Sequence, residues 1–355
     1  MKKKILLISL ALLLAIGLIA SSCAKPAPAP APAPAPTPAP APAPKPTYTW
    51  TFAVDQNLEH PQVQAMIKFA ERVYELSDKR ISIDVKHSGV LGDWTQVYEE
   101  VIRGTTEMTA SPLASIYDPR LDVVYIPSIA GNWEQAKVLY SPGGYVFDTA
   151  AEINHNVGVD IMAVFPLGFI GMGTNKEAPS PGDPSVPKDV KVRVWPAKPP
   201  QLLIEALGFI VTPMPWSDVF TSMQTGVIDG YFGADIGTAY DLVRDVTKYW
   251  YPYRGFFEAN WWNVSADLWA SLSDEDKGII MKAAQEAQAQ QTADAEAHEI
   301  ESANKFRDYG IKVAEFTPEE YAKFKEVAVE KVWPEMNSLL GKDIMDEAKE
   351  AAAKL

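Results

Sequence analysis

One arginine interrupts an otherwise apolar strand pattern in the middle of the chain. Val190, Val192 and Val194 alternate in "VKVRVW", which predicts a strand with Arg193 near its carboxyl end. A buried guanidinium needs a partner, and its planar fork matches a carboxylate bidentately. Two interpretations follow: Arg193 binds the carboxylate of a ligand, or it is a structural residue paired with a nearby Asp or Glu.

Sequence patterns typical of enzymes are missing from the chain. There is no G-x-S-x-G elbow and no P-loop, and the single cysteine, Cys23, lies in the N-terminal segment. "GFIGMG" (168–173) only loosely imitates a phosphate-binding loop, because no helix is predicted after it. Four histidines are scattered without zinc-ligand spacing and are interpreted as surface or capping residues: His60, His87, His155 and His298. We therefore predict a protein without catalytic activity.

A short unit occurs twice, about 120 residues apart. "VYEEVIRGTTEM" (97–108) and "VFTSMQTGVIDG" (219–230) share an aromatic at the second position, Gly at the eighth and an acid at the eleventh. Each copy predicts a helix, a glycine turn and a short strand, which places 109–112 and 231–233 at strand carboxyl ends. Open α/β sheets bind ligands at that edge. Two lobes that face each other, with a cleft between them, explain the duplication.

The flanking patterns predict how each lobe begins. Strands are expected at 48–55 and 80–87, with a helix opened by Pro61 and a second helix from about Trp94 to Arg103. This β-α-β-α-β order favours a mostly parallel sheet. In the second half, "VGVDIMAVFPL", "VKVRVW" and "FIVTPMP" are predicted strands, and Ser217 is predicted to cap the helix that follows.

The C-terminal third predicts long helices. A capping box at Ser273 and Asp276 opens a segment without proline that runs to Gly310. About 36 helical residues would span roughly 54 Å, enough to cross two lobes. A second helix is predicted at "TPEEYAKF", with Thr317 at the cap and Glu320 three residues later.

The N-terminus predicts export and anchoring. Three lysines and an apolar run precede "ASSC", a pattern that resembles a bacterial lipobox. The resemblance implies a signal peptide at 1–22 and a lipid on Cys23; the alternative is an unprocessed N-terminal anchor helix. Residues 23–47 then form a stalk in which prolines alternate from Pro26 to Pro46, predicting extended polyproline II of roughly 65 Å. The globular part is expected outside the cytoplasmic membrane in either case.

Size and charge restrict the partners. Residues 48–355 are too many for one simple core and suit two lobes. The chain carries a net charge of −14, and loss of the three signal lysines leaves −17. A strongly acidic surface argues against nucleic acid and against resting on anionic lipid.

The segment "KVRVWPAKPPQLLIEALGFIVTPMPWSDVFTSMQTGVIDG" (191–230) resembles the solute-binding receptors of TRAP transporters, the DctP-like family. The shared features are a Lys-x-Arg-Val strand, a helix ending in Leu-Gly, and a Gln-x-Gly-x-x-Asp-Gly element. "MGTNKEA" and "YWYPYRGFFEANWWNVS" are similar to the branch that binds 2-oxo acids and related monocarboxylates.

The resemblance implies an α/β, two-lobed periplasmic-binding-protein-like fold with a cleft and a long lobe-spanning helix. Lobe I would comprise about 48–165 plus part of 256–290, and lobe II about 166–255 plus part of 291–355. The implied function is capture of an organic carboxylate for a TRAP-type membrane permease. Alternatives are an ABC-type receptor or, from another class, an exported α/β hydrolase.

The resemblance also implies site residues. The family's carboxylate-clamping arginine falls on Arg193. A second Arg or Gln of the family is replaced by Phe169 or Ile170, and Asp189 stands where a glycine is common. The polar side of the pocket is thereby thinned, which favours one carboxylate and an apolar or aromatic remainder. The other candidate ligand-binding residues are Trp195, Trp216, Tyr231, Phe232, Glu59, Phe169, Trp261 and Asn263. Some relatives bind a metal beside the ligand through a Glu, for which Glu258 is the nearest match; Phe232 replaces the second expected acid, and no cofactor is predicted.

Overall fold

The computed structural model describes residues 48–355; the signal segment, Cys23 and the proline-rich stalk lie outside the described residues. The strands are β1 (Tyr48–Ala53), β2 (Ile81–Lys86), β3 (Met108–Ser111), β4 (Val159–Phe169), β5 (Gly171–Thr174), β6 (Lys191–Val194), β7 (Ile210–Pro213), β8 (Gly230–Ala234), β9 (Tyr249–Tyr251), β10 (Phe257–Ser265) and β11 (Lys312–Val313). The α-helices are α1 (Pro61–Leu76), α2 (Trp94–Ile102), α3 (Trp133–Leu139), α4 (Tyr145–Asn156), α5 (Lys198–Ala206), α6 (Val219–Gln224), α7 (Ile236–Val243), α8 (Ala266–Ser271), α9 (Asp274–Asp308), α10 (Pro318–Val327), α11 (Trp333–Leu340) and α12 (Lys342–Ala353).

Two mixed sheets organise these elements. Sheet I has the order β2-β1-β3-β10-β4, and sheet II has the order β11-β9-β5-β8-β6-β7. Written from the other edge, sheet II begins β7-β6-β8-β5-β9, which repeats the topology of sheet I. In each sheet three parallel strands are followed by antiparallel neighbours. The two-lobed α/β prediction is confirmed.

The duplicated sequence unit is confirmed as a duplicated structural unit. Gly104 follows α2 with φ +68°, and Gly226 follows α6 with φ +73°. Both glycines adopt the left-handed backbone conformation that often ends a helix. Glycine adopts this conformation at little energetic cost because it has no Cβ. The chain then enters β3 or β8, each the third strand in its sheet and next to the strand that runs the other way.

The expected mostly parallel sheet is confirmed: β1, β2 and β3 are parallel, and within residues 48–355 only β10 in sheet I and β5 in sheet II run against the other strands of their sheet. Two local predictions were wrong. Ser217 lies within a 3-10 turn, Trp216–Asp218, and makes no cap; Asp218 precedes α6 without a side-chain cap bond. Ser273 does cap α9 by accepting from the Asp276 N–H, but the box is incomplete, since the Asp276 carboxylate accepts from the Ser273 hydroxyl instead of its backbone.

The long helix α9 connects the two halves of the molecule. Its 35 residues pack against α1 and β4 beside sheet I and against α7 and β11 beside sheet II. Arg80 anchors the start of the helix through a 2.8 Å ion pair with Asp276. The predicted capping box of α10 is present in full at Thr317 and Glu320. Within residues 48–355, no helix is long and apolar enough to cross a membrane.

Two short segments carry the chain between the sheets. Ile170 separates β4 from β5, and residues 252–256 separate β9 from β10. Gly168, at the end of β4, has φ +141°, and Arg254 is left-handed at φ +52°. We refer to these segments as the two crossovers.

Candidate functional site

Arg193 is held at the carboxyl edge of sheet II. It is the third residue of β6, between β7 and β8, and only 3% of its surface is exposed. Its Nε donates to the Met214 carbonyl at 2.8 Å, and its Nη1 donates to the Phe232 carbonyl at 3.4 Å. Backbone carbonyls at the ends of two neighbouring segments thus aim the guanidinium toward the strand-end edge.

Arg193 has no carboxylate partner among the described residues. Its hydrogen bonds go only to carbonyls, and no ion pair joins it to an Asp or Glu within residues 48–355. Burial lowers the pKa of Arg193 to about 9, and the more distant charge of Asp218 opposes this only in part. A structural arginine would be expected to have a paired acid. The geometry therefore favours an anion supplied from outside the chain.

Two tryptophans and a glycine frame the guanidinium. The Cζ of Arg193 lies 5.3 Å from the centre of the Trp216 ring. A Cβ added to Gly233 would lie 2.8 Å from the Trp195 ring and 3.1 Å from the Arg193 Nη1. Gly233 has φ +121°, so both its conformation and the space above it require glycine. Trp195 and Trp216 are each partly exposed, which leaves both rings available to a ligand.

An aromatic cluster joins Trp195 to more distant parts of the chain. The Trp195 ring lies 5.2 Å from Tyr125, stacks on Phe232 at 6.1 Å and packs against Phe256 at 5.6 Å. Tyr125 ends a 3-10 helix, Pro119–Tyr125, in the segment after β3. Trp195 is thus supported by residues from before and after the first crossover.

Tyr231 and Phe232 are fully buried, in contrast to Trp195 and Trp216. The Tyr231 hydroxyl pairs with Thr247 at 3.0 Å, and its ring supports Trp216 from below at 5.7 Å. Phe232 supports Trp195. Tyr231 and Phe232, which were predicted to contact the ligand, therefore support Trp216 and Trp195 and do not face the site themselves.

The remaining predicted residues are not brought to Arg193. Trp261 packs against Tyr140 and Phe147 in the core beside sheet I. Asn263 is buried in a network with Asn154 and Ser111. Phe169 packs against Trp133 and Phe257 at the first crossover. Glu59 is exposed before α1.

Glu258, the predicted metal candidate, is the second residue of β10, just after the second crossover. Tyr125 donates to its Oε1 at 3.5 Å. Burial raises the pKa of Glu258 to about 8, and the charge of Asp235 adds to the shift. The described residues contain no group of three or more His, Cys, Asp or Glu side chains placed to hold a metal ion.

Sequence reasoning missed two residues that support this region. Tyr125 packs on Trp195 across 70 positions, and no local pattern indicates such a contact. Asp235 caps α7 by accepting from the Gly237 and Thr238 N–H groups at 2.8 and 3.1 Å. Its position directly after a strand and before a helix is a signal that could have found it.

Comparisons with known proteins identify the family to which the chain belongs. The family described as DctP, bacterial extracellular solute-binding protein, family 7, matches residues 52–338. The chain belongs to this family. It is a TRAP-type extracytoplasmic solute receptor, and the family consists of transport solute-binding proteins. This assignment favours the predicted TRAP receptor over the ABC-type receptor and the hydrolase.

Individual relatives of the receptor are distant but match over most of their length. The ectoine-binding periplasmic protein TeaA of Halomonas elongata is 22% identical over 298 residues, covering 81% of this chain and 85% of that one. A TRAP periplasmic solute-binding protein of Ochrobactrum anthropi, solved with its C-terminus bound in the ligand-binding pocket, is 25% identical with a TM-score of 0.78, covering 87% and 96%. The sugar acid binding protein DctPAm of Advenella mimigardefordensis, solved with galactonate, is 23% identical with a TM-score of 0.78, covering 87% and 99%, and shows the fold.

Proposed function

We propose that the receptor captures an organic monocarboxylate between its lobes and delivers it to a TRAP-type permease. The observation that carries the proposal is Arg193, a buried guanidinium with carbonyl contacts but no carboxylate partner among residues 48–355. An incoming carboxylate would supply the missing charge and accept from the free face of the fork. The galactonate bound by the Advenella protein, described as a sugar acid, supports a carboxylate as the shared chemistry.

The aromatic surroundings support an apolar or aromatic remainder on the ligand. Trp195 and Trp216 are the partly exposed rings nearest the guanidinium, and Tyr231 and Phe232 hold them in place. The positions that could hold a second carboxylate carry Phe169 and Ile170, both buried and apolar. The ligand is therefore expected to carry a single carboxylate group.

We further propose that Ile170 and residues 252–256 act as the hinge between lobe I (about 48–165 plus part of 256–290) and lobe II (about 166–255 plus part of 291–355). Ligand capture by hinge closure requires no chemical step, so no catalytic activity is expected. A lipid on Cys23 followed by the proline-rich stalk would keep the receptor near the permease.

The test is calorimetric titration of the purified protein against a panel of aromatic, aliphatic and hydroxylated monocarboxylates and small dicarboxylates. Saturable binding of one carboxylate per chain, strongest for a monocarboxylate, is the expected result. A preference for small dicarboxylates would contradict the thinned-pocket argument.

A further inference from the structure

A second pocket lies between α9 and the outer edge of sheet II, and Arg193 is not among its lining residues. Its volume is about 330 Å³, within the range of roughly 300–1,000 Å³ that is typical of small-molecule sites. Four aromatic residues line it: Phe169, Trp250, Phe316 and Tyr321. Two arginines, Arg254 and Arg307, also line it, and we name this space the α9 pocket.

The α9 pocket is separate from the proposed carboxylate site at Arg193, Trp195 and Trp216, which we call the clamp. Arg193, Trp195 and Trp216 do not line it. Trp250 lies on β9, and β5 and β8 separate β9 from the β6 strand that carries Arg193. Three strand spacings correspond to about 14 Å across the sheet. Phe169, one of the other candidate ligand-binding residues, does line it, but the clamp and the pocket lie on different strands of the sheet.

Arg254 is placed in this pocket at a conformational cost. It is left-handed at φ +52°, a conformation that non-glycine residues rarely adopt and that clusters at functional sites. Its Cζ lies 5.4 Å from the Phe169 ring and 5.5 Å from the Tyr321 ring, so two aromatic faces hold the guanidinium.

Hydrogen-bond donors exceed acceptors around Arg254. Its contact with a carboxylate is a long one, 3.5 Å from Nη2 to the Glu299 Oε1, and its Nε is buried without a partner in the described part of the chain. Glu299 has less hydrogen-bond accepting capacity left for Arg254, because its Oε2 already accepts from Trp133 Nε1 at 2.9 Å. A guanidinium has five N–H donors, and the Arg254 side chain is 35% exposed, so it keeps donors for an acceptor that enters the pocket.

The second arginine that lines the pocket, Arg307, is also weakly paired. Arg307 reaches Glu315 at 3.4 Å, and Glu315 is 86% exposed, so this pair is weak and easily exchanged. Glu299 and Glu315 also line the pocket, and the other lining residues are apolar, including Ile236 and Val313. An anionic group with a flat apolar body fits both the donors and the rings.

We propose that the α9 pocket is a second binding site, for a small aromatic carboxylate whose carboxylate is bound by Arg254 and whose ring packs against Phe316 and Tyr321. This proposal goes beyond the proposed function and does not depend on Arg193 being a ligand clamp.

The test is ¹⁹F NMR titration of the purified protein with 4-fluorobenzoate. Wild type is expected to give a bound signal that Arg254→Gln weakens at least about tenfold, because the substitution removes the charge and the bidentate fork. Tyr321→Leu keeps the charge but removes a wall, and it should weaken the same signal several-fold. Arg244→Gln is the matched control, since Arg244 also stacks on a tyrosine, Tyr240 at 4.9 Å, but does not line the pocket.

Arg193→Lys separates the two sites. A signal that weakens in Arg193→Lys but not in Arg254→Gln belongs to the proposed clamp. The second-site proposal is overturned if no bound signal responds to Arg254→Gln, or, should that variant fail to fold, to Tyr321→Leu. The failure of the clamp proposal would leave the Arg254-dependent signal unchanged, so the two outcomes are distinguishable.

Discussion

The guanidinium of Arg193 lies 5.3 Å from the centre of the Trp216 ring and donates to two backbone carbonyls. A buried cation is thus held by a ring and by backbone dipoles, and no carboxylate of residues 48–355 forms an ion pair with it. This is a favourable environment for an anion that arrives and leaves, because no internal carboxylate competes for the fork.

The first prediction concerns affinity. Arg193→Ala should weaken carboxylate binding by about 2 to 5 kcal/mol, or roughly 30- to 4,000-fold, because the ligand charge is left without its partner. Arg193→Lys should recover only part of the loss, since an ammonium cannot form the fork. Calorimetric titration measures both, with Arg244→Ala as control for loss of an arginine stacked on a tyrosine elsewhere. Unchanged affinity in folded Arg193→Ala would make the arginine structural.

The second prediction uses a pair of glycines. Gly233→Ala should weaken binding at least about tenfold, because its Cβ would displace the Trp195 ring at 2.8 Å and the Arg193 Nη1 at 3.1 Å. Gly226→Ala is the matched control. Gly226 has φ +73° and no atom within 4 Å of an added Cβ, so this variant suffers only the backbone strain of a left-handed alanine and no steric clash. Thermal melting should show destabilisation in both variants, with loss of affinity confined to Gly233→Ala. Equal affinities in the two variants would argue that the site lies elsewhere.

The third prediction concerns pH. Burial raises the pKa of Glu258 to about 8, so the folded state holds a proton that the unfolded state releases near pH 4.5. Stability from this group is fully present below pH 4.5 and is lost as pH rises through 8, with a slope approaching about 1.4 kcal/mol per pH unit between these values. His60, whose pKa burial lowers to about 4, and Asp122, whose pKa burial raises to about 6, contribute mainly below pH 6.5.

Burial also raises the pKa of Asp235 and of Asp55, so urea unfolding between pH 6.5 and 8 tests Glu258 by comparing wild type with Glu258→Gln. Stability of the wild type should fall over this range, and the fall should be smaller in Glu258→Gln. A wild-type stability that is flat or rises over the range would contradict the buried, protonated carboxyl.

The fourth prediction concerns the anchor. Cys23→Ala should release the protein from the membrane fraction or leave the precursor uncleaved, because the thioether needs the cysteine sulfur. Fractionation followed by intact-mass analysis measures both. Membrane association and processing identical to wild type would count against a lipid on Cys23.

Local patterns in the sequence predicted much of the fold. Alternating valines around Arg193, Pro61 at a helix start and the capping box at Thr317 each depend on neighbours within a few positions, and each is found as expected. The repeated glycines, Gly104 and Gly226, predicted the duplication because a left-handed helix end requires a residue without a Cβ.

Tertiary structure alone decided which aromatic residues face the site. Trp195 and Trp216 remain partly exposed while Tyr231 and Phe232 are buried behind them, although all four follow similar local patterns. Tyr125 reaches Trp195 only because the segments before and after the first crossover meet in space. Sequence spacing determines the face of a strand on which a side chain lies, since strand geometry is local. The depth at which that side chain is buried depends on what packs against it from distant parts of the chain.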